Sequence, residues 1–188
     1  MKLTRQQRTE RAAAKKDRIR VKMRIEALAA SELVNLLDDR EQAVTLAAAD
    51  ELVARGRVTL EALIAGLSAP GGKIRATCAL LMDHLADDRC VEPLYRAMRH
   101  DPLEAVRRCA MHSLVCDGCK ECPLDTDVVG ALIEVALNDR SLAVQRRAVF
   151  YLGQQRRDPR TATALETLLA RETDAILVRR AQRALSRL

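Results

Sequence analysis

From Ser31 onward the apolar positions recur in a fixed frame. Val44, Ile74, Val106, Val144 and Leu177 each open the same pattern. Four residues later stand Ala48, Cys78, Ala110, Ala148 and Ala181, and eight later stand Leu52, Met82, Leu114, Leu152 and Leu185. These three positions share one face of a helix, with a small residue where a neighbouring backbone must come close. The five anchors are 30, 32, 38 and 33 residues apart. Such self-similarity predicts a repeat array with one insertion. Each unit also predicts an upstream helix, carried by Leu33/Leu36/Leu37, Leu60/Leu63/Leu67, Leu94/Met98, Leu132/Ile133/Leu137 and Leu165/Leu168/Leu169. Prolines punctuate the scheme. Pro70 and Pro102 fall between the two helices of a unit, Pro93 suits a first helical turn, Pro159 lies between units four and five, and Pro123 closes the insertion.

Five residues before the anchors stand Asp39, Ala69, Asp101, Asp139 and Glu172. Asp101, Val106, Arg107, Ala110 and Leu114 reproduce the pattern Asp-x4-Val-Arg-x2-Ala-x3-Leu in full. On these residues the chain resembles the HEAT-repeat family over residues 31–188. Ile74 and Arg75 match the middle of the pattern, whereas Thr45, Gln145 and Val178 replace its Arg and Arg179 sits one place late. The resemblance implies an all-α, right-handed solenoid of about five HEAT-like helix pairs. It also implies that Asp39, Asp101, Asp139, Arg75 and Arg107 tie successive repeats together rather than act as acids or bases.

The sequence predicts a basic N-terminal helix or arm over residues 1–30, ahead of the 31–188 array. Arg5, Arg8, Lys15, Arg18 and Lys22 lie near one stripe of it, and Ala14, Val21, Ile25 and Leu28 form a thin apolar line for docking on the first repeat. Charge is unevenly distributed. Residues 1–30 carry ten Lys/Arg against three acids, residues 31–139 eleven against nineteen, and residues 140–188 eleven against four. Two basic ends therefore flank an acidic middle, which bears on partners rather than on fold. The doublets Arg107/Arg108, Arg146/Arg147 and Arg179/Arg180 begin the second helices at matching places, and Arg156, Arg157, Arg160, Arg183 and Arg187 add to the basic C-terminal region. They suit either a phosphate-tracking surface or solvated helices paired with acids.

The extra residues fall at 115–124, after the third unit, and bring in Cys116, Cys119 and Cys122. His112 precedes them by one helical turn, and the four donors are of the kind that holds Zn²⁺. Cys109, a further turn back, is an alternative fourth ligand. Three readings stay open: a metal centre, redox-active thiols, or an unliganded loop. The spacing also begins an iron–sulfur pattern, but a fourth cysteine at the following spacing is absent. Cys78 occupies a small-residue slot and is expected in the core. Cys90 has nothing catalytic near it in sequence, and His84 and His100 suit solvated helix ends.

No phosphate-binding loop or nucleophile elbow is present. The iron-dependent hydroxylases with HEAT-like folds carry His-Glu pairs, but His84, His100 and His112 are followed by Leu85, Asp101 and Ser113. The alkylpurine glycosylases of similar fold use aromatic residues around the lesion. Here aromatics are 2% of the chain, Tyr95, Phe150 and Tyr151, with no Trp. No run of residues is apolar enough to span a membrane, and no secretory leader is visible at the N-terminus. The sequence therefore predicts a non-enzymatic cytoplasmic scaffold or adaptor binding a protein through its concave face. Nucleic-acid binding through the basic ends is the first alternative, and metal- or redox-responsive regulation through the insertion is the second.

Overall fold

The computed structural model describes residues 20–116, 118–119, 122–155 and 157–188. The predicted stripe residues Arg5, Arg8, Lys15 and Arg18, the apolar Ala14, and Arg156 lie outside these. Residues 20–26 are helical (α1). Five helix pairs follow. They are α2 (Ala30–Asn35) with α3 (Gln42–Arg55), α4 (Leu60–Gly66) with α5 (Gly72–Leu81), α6 (Val91–His100) with α7 (Glu104–Val115), α8 (Val128–Asn138) with α9 (Leu142–Leu152), and α10 (Pro159–Arg171) with α11 (Ala175–Leu185). No strand occurs among the described residues. Each pair is one predicted unit.

The second helices form one layer, α5 packing on α3 and α7, and α9 on α7 and α11. First helices pack behind them, with α2 against α4 and α8 against α10. The anchor pattern explains this stacking. Ala48, Cys78, Ala110, Ala148 and Ala181 are all fully buried, so each second helix presents a small residue at its closest approach. Gly66 serves the same purpose on α4: a Cβ there would lie 2.4 Å from Cys78 Sγ and 2.9 Å from Val34 Cγ1. Pro159, expected between units four and five, starts a helix instead. Pro159 occupies the first turn of α10, and the side chain of Asp158 accepts the Arg160 N–H at its N-cap.

The HEAT-like Asp and Arg positions carry out two tasks. Within a unit, the residue after the anchor donates to the carbonyl six residues earlier, near the end of the first helix. Arg75 Nη1 does so to Ala69 O at 2.9 Å, Arg107 Nη1 to Asp101 O at 3.0 Å and Gln145 Nε2 to Asp139 O at 2.7 Å. Such carbonyls have no partner within their own helix. Between units, the rest of the guanidinium reaches the next aspartate. Arg75 is bidentate to Asp101 at 2.7 and 3.2 Å, and Arg107 is bidentate to Asp139 at 2.8 and 2.9 Å. Gln145 can perform only the first task. Its neighbour Arg146 takes over the second by pairing with Asp174 instead of Glu172. In unit one the link runs from Lys73 to Asp38 at 3.2 Å, while Asp39 caps the Glu41 N–H.

The apolar line of α1 docks on the first unit, with Ile25 buried and Val21 and Leu28 packed against the core. Arg55 on α3 fixes the end of α1 by donating to Leu28 O at 2.6 Å and Glu26 O at 3.1 Å. Lys22 is exposed and lies 3.6 Å from Glu26.

Candidate functional site

The Arg doublets divide into inward and outward members. Arg107 is 2% exposed and committed to the ladder, so it is corrected from a partner-binding residue to a structural one. Arg146 is likewise engaged with Asp174. Arg108 is exposed and pairs with Glu104 at 3.6 Å. Arg147 lies over the rings of Tyr151 at 4.8 Å and Phe150 at 5.4 Å. Arg180 donates to Arg146 O at 2.8 Å, and Arg179 is exposed. Acids thus engage Arg107, Arg108 and Arg146 among the doublet residues.

A helix turns about 100° per residue, so the positions one before, two after and six after an anchor face away from the core stripe. Leu46, Leu80, Phe150 and Ile176 occupy such positions and are all exposed. Arg108, Arg179 and Arg183 share the same outward side, also exposed. Next to α1, the surface of α3 becomes a groove lined by Val21, Ile25, Leu46 and Ala47 together with Arg20 and Asp50.

The outward sixth position of unit three is His112, and its surroundings are different. Asp83, on the 3₁₀ turn Met82–His84 that extends α5, is 1% exposed and places Oδ2 3.1 Å from His112 Nε2. The other ring nitrogen, Nδ1, lies 2.8 Å from the hydroxyl of Tyr151 on α9. Cys116 caps α7, and its Sγ is 3.5 Å from Cys119 Sγ. One donor atom from each of Asp83, His112, Cys116 and Cys119 lies within 4.8 Å of every other. The expected set is therefore assembled in part. His112, Cys116 and Cys119 come together, and Asp83 joins them in place of Cys122, which is exposed and outside the group. Cys109 is also outside it, and burial raises the pKa of its thiol.

This arrangement does not resemble an activated cysteine. A thiolate nucleophile needs a neighbouring base or cation. Both nitrogens of His112 instead face oxygens, and the Cys119 thiol is pushed up to about 12, first by its hydrogen bond to Asp83 and then by Cys116. Among the other expectations, Cys78 is buried, which pushes its thiol up to about 12. Cys90 is buried in the core, and His84 and His100 are exposed at helix ends.

No family model and no curated protein matches the sequence. Solved structures do. The complex of CpcE and CpcF of phycocyanin lyase from Nostoc sp. PCC7120 contains a chain similar to this one at TM-score 0.66 and 18% identity, covering 83% of this chain and 97% of that one. A designed armadillo repeat protein in complex with the peptide (KR)4 aligns at TM-score 0.51 and 18% identity, covering 89% and 84%. No described helix is long and apolar enough to cross a membrane. The stacked pairs and these likenesses agree: the chain has the fold of a HEAT- or armadillo-like α-solenoid.

Proposed function

We propose that this chain is a non-enzymatic scaffold that takes up a protein segment along the concave face formed by its second helices. The observation carrying this reading is the composition of their outward side. A phosphate-tracking surface concentrates uncompensated cations. Here Arg107, Arg108 and Arg146 are paired with acids, and the exposed Leu46, Leu80, Phe150 and Ile176 share the outward side with the cations. Apolar anchors with scattered Arg suit a partner bearing apolar and acidic side chains. The designed armadillo repeat protein solved with the peptide (KR)4 is a precedent for peptide binding by this fold, there with a basic peptide.

Photo-crosslinking tests the proposal. A crosslinker placed at Leu80 or Phe150 captures a reproducible protein, whereas one at Arg96, which is 73% exposed on the first-helix side, does not. Capture from both faces alike refutes the reading. So does tight binding of labelled DNA or RNA with a steep loss of affinity as salt rises.

A further inference from the structure

We propose that Asp83, His112, Cys116 and Cys119 form a four-coordinate structural zinc site that clips the insertion to the middle of the array. The site goes beyond the scaffold reading and stands or falls separately from it. A tetrahedral Zn²⁺ with Zn–S bonds of about 2.3 Å and Zn–N and Zn–O bonds near 2.1 Å requires S···S of about 3.8 Å and N···O of about 3.4 Å. The structure has the two sulfurs at 3.5 Å and His112 Nε2 and Asp83 Oδ2 at 3.1 Å. Both edges are therefore near their liganded lengths, and the remaining pairs need only contract from within 4.8 Å. Two thiolates, an imidazole and a carboxylate suit Zn²⁺ in hardness and number. With all four positions supplied by protein, no site is left for a reacting water, which makes the centre structural.

The surroundings orient the ligands. His112 binds through Nε2 while Nδ1–H donates to Tyr151 Oη at 2.8 Å, which fixes both the ring and its tautomer. Metal uptake expels the protons of Cys116 and Cys119 to solvent and leaves the imidazole neutral. The far end of the insertion is already tied down. Leu124 is buried, the Asp125 N–H donates to Asp88, and Tyr95 Oη donates to Asp127 O at 3.0 Å. At the near end, Gly118, Cys119 and Cys122 are exposed, and the thiol cluster would tether the chain there. The ligands come from unit two, unit three and the insertion, and the orienting hydroxyl comes from unit four. A single ion therefore joins two successive repeats and the insertion, and a third repeat holds its histidine.

The test begins with the full chain purified without added metal, analysed by elemental mass spectrometry, then stripped with chelator under reductant and titrated with Co²⁺. One equivalent of zinc is expected, and cobalt should give thiolate charge-transfer bands together with intense tetrahedral d–d bands that zinc abolishes. Cys119→Ser removes much of the charge-transfer intensity, Asp83→Asn weakens binding, and Cys122→Ser leaves both unchanged. Tyr151→Phe lowers affinity by about 10–100-fold with the spectrum retained. Absence of metal together with no thiolate bands from wild-type protein overturns the site, and needs no variant to interpret. A Cys116–Cys119 disulfide in the protein as isolated also overturns it. If Cys122→Ser abolishes the bands and Asp83→Asn does not, the donor set proposed here is wrong.

Discussion

Arg107→Met should be among the most damaging single changes on this chain outside the apolar core. The guanidinium makes four hydrogen bonds, two to Asp139 at 2.8 and 2.9 Å and two to Asp101 O and Pro102 O at 3.0 and 3.3 Å. Both side chains of the pair are nearly sealed from water, at 3% and 5% exposure. Removing Arg107 leaves the Asp139 carboxylate with the Ser141 N–H at 2.7 Å as its remaining hydrogen bond. Truncating one partner of a buried pair costs about 3–5 kcal/mol, chiefly because the other charge stays buried alone. Replacing both partners avoids that penalty. Beyond the carbonyl bonds that Arg107→Met already forfeits, adding Asp139→Leu loses the Ser141 contact, worth about 1 kcal/mol, but leaves no unpaired buried charge. The double variant should therefore be more stable than either single one.

Urea unfolding followed by circular dichroism measures the three variants. Hydrogen exchange across α7 and α8 localises the effect, because a repeat array need not unfold in one step. The reasoning fails if the double variant is no more stable than the single ones, within about 0.5 kcal/mol. The same logic predicts a gradient along the ladder. Arg146 and Asp174 are 26% and 19% exposed, so solvent screens their pair and Arg146→Met should cost far less than Arg107→Met.

Gly66→Ala places a methyl against Cys78 Sγ and should cost about 1–3 kcal/mol by overpacking, with Cys78→Ala in the same chain restoring much of it. Equal melting temperatures for Gly66→Ala and the double variant would contradict that contact. Stability should also fall in acid. Arg160 holds Asp127 and Asp158 below the usual carboxylate range, and Arg146 does the same to Asp174. A depressed native pKa stabilises fully above the unfolded value of about 3.9, and the contribution is lost as pH falls through the native value. Arg160→Met should flatten this acid limb in a pH series of urea midpoints. Parallel limbs for variant and wild type would contradict it.

The repeat was legible because the constraint behind it is local and recurs. A second helix can pack on its predecessor only with a small residue at its centre, and the five such residues appear in register in the sequence. The Arg–Asp ladder was legible where the full pattern stands, at Arg107, and obscure where its tasks are divided. Gln145 keeps the bond to its own unit's carbonyl, and Arg146 shifts the inter-unit bond to Asp174. Position alone marks Arg146 as an outward residue. That division also explains why Arg107 and Arg146 are engaged within the array although the sequence shows them only as members of Arg doublets. The number of arginines is visible in the sequence, but their neutralisation depends on aspartates about thirty residues further along the chain.

The candidate metal site shows the same limit and how it can be overcome. Searching along the chain gathers the donors nearest in sequence, which favours Cys122 and omits Asp83. In a stack of similar helices, spatial neighbours are instead residues at similar offsets from consecutive anchors. Ser113, seven after Val106, donates to Ala79 O, five after Ile74. His112, six after Val106, meets Asp83, nine after Ile74, and Tyr151, seven after Val144. Each partner lies within one helical turn once the units are aligned. Asp83 is thus the acid that such an alignment selects, because it is the carboxylate in unit two within one turn of the level of His112. Cys116 and Cys119 then follow because the chain leaves α7 at that level. The insertion supplies the thiols, and the repeat fixes where they meet their partners.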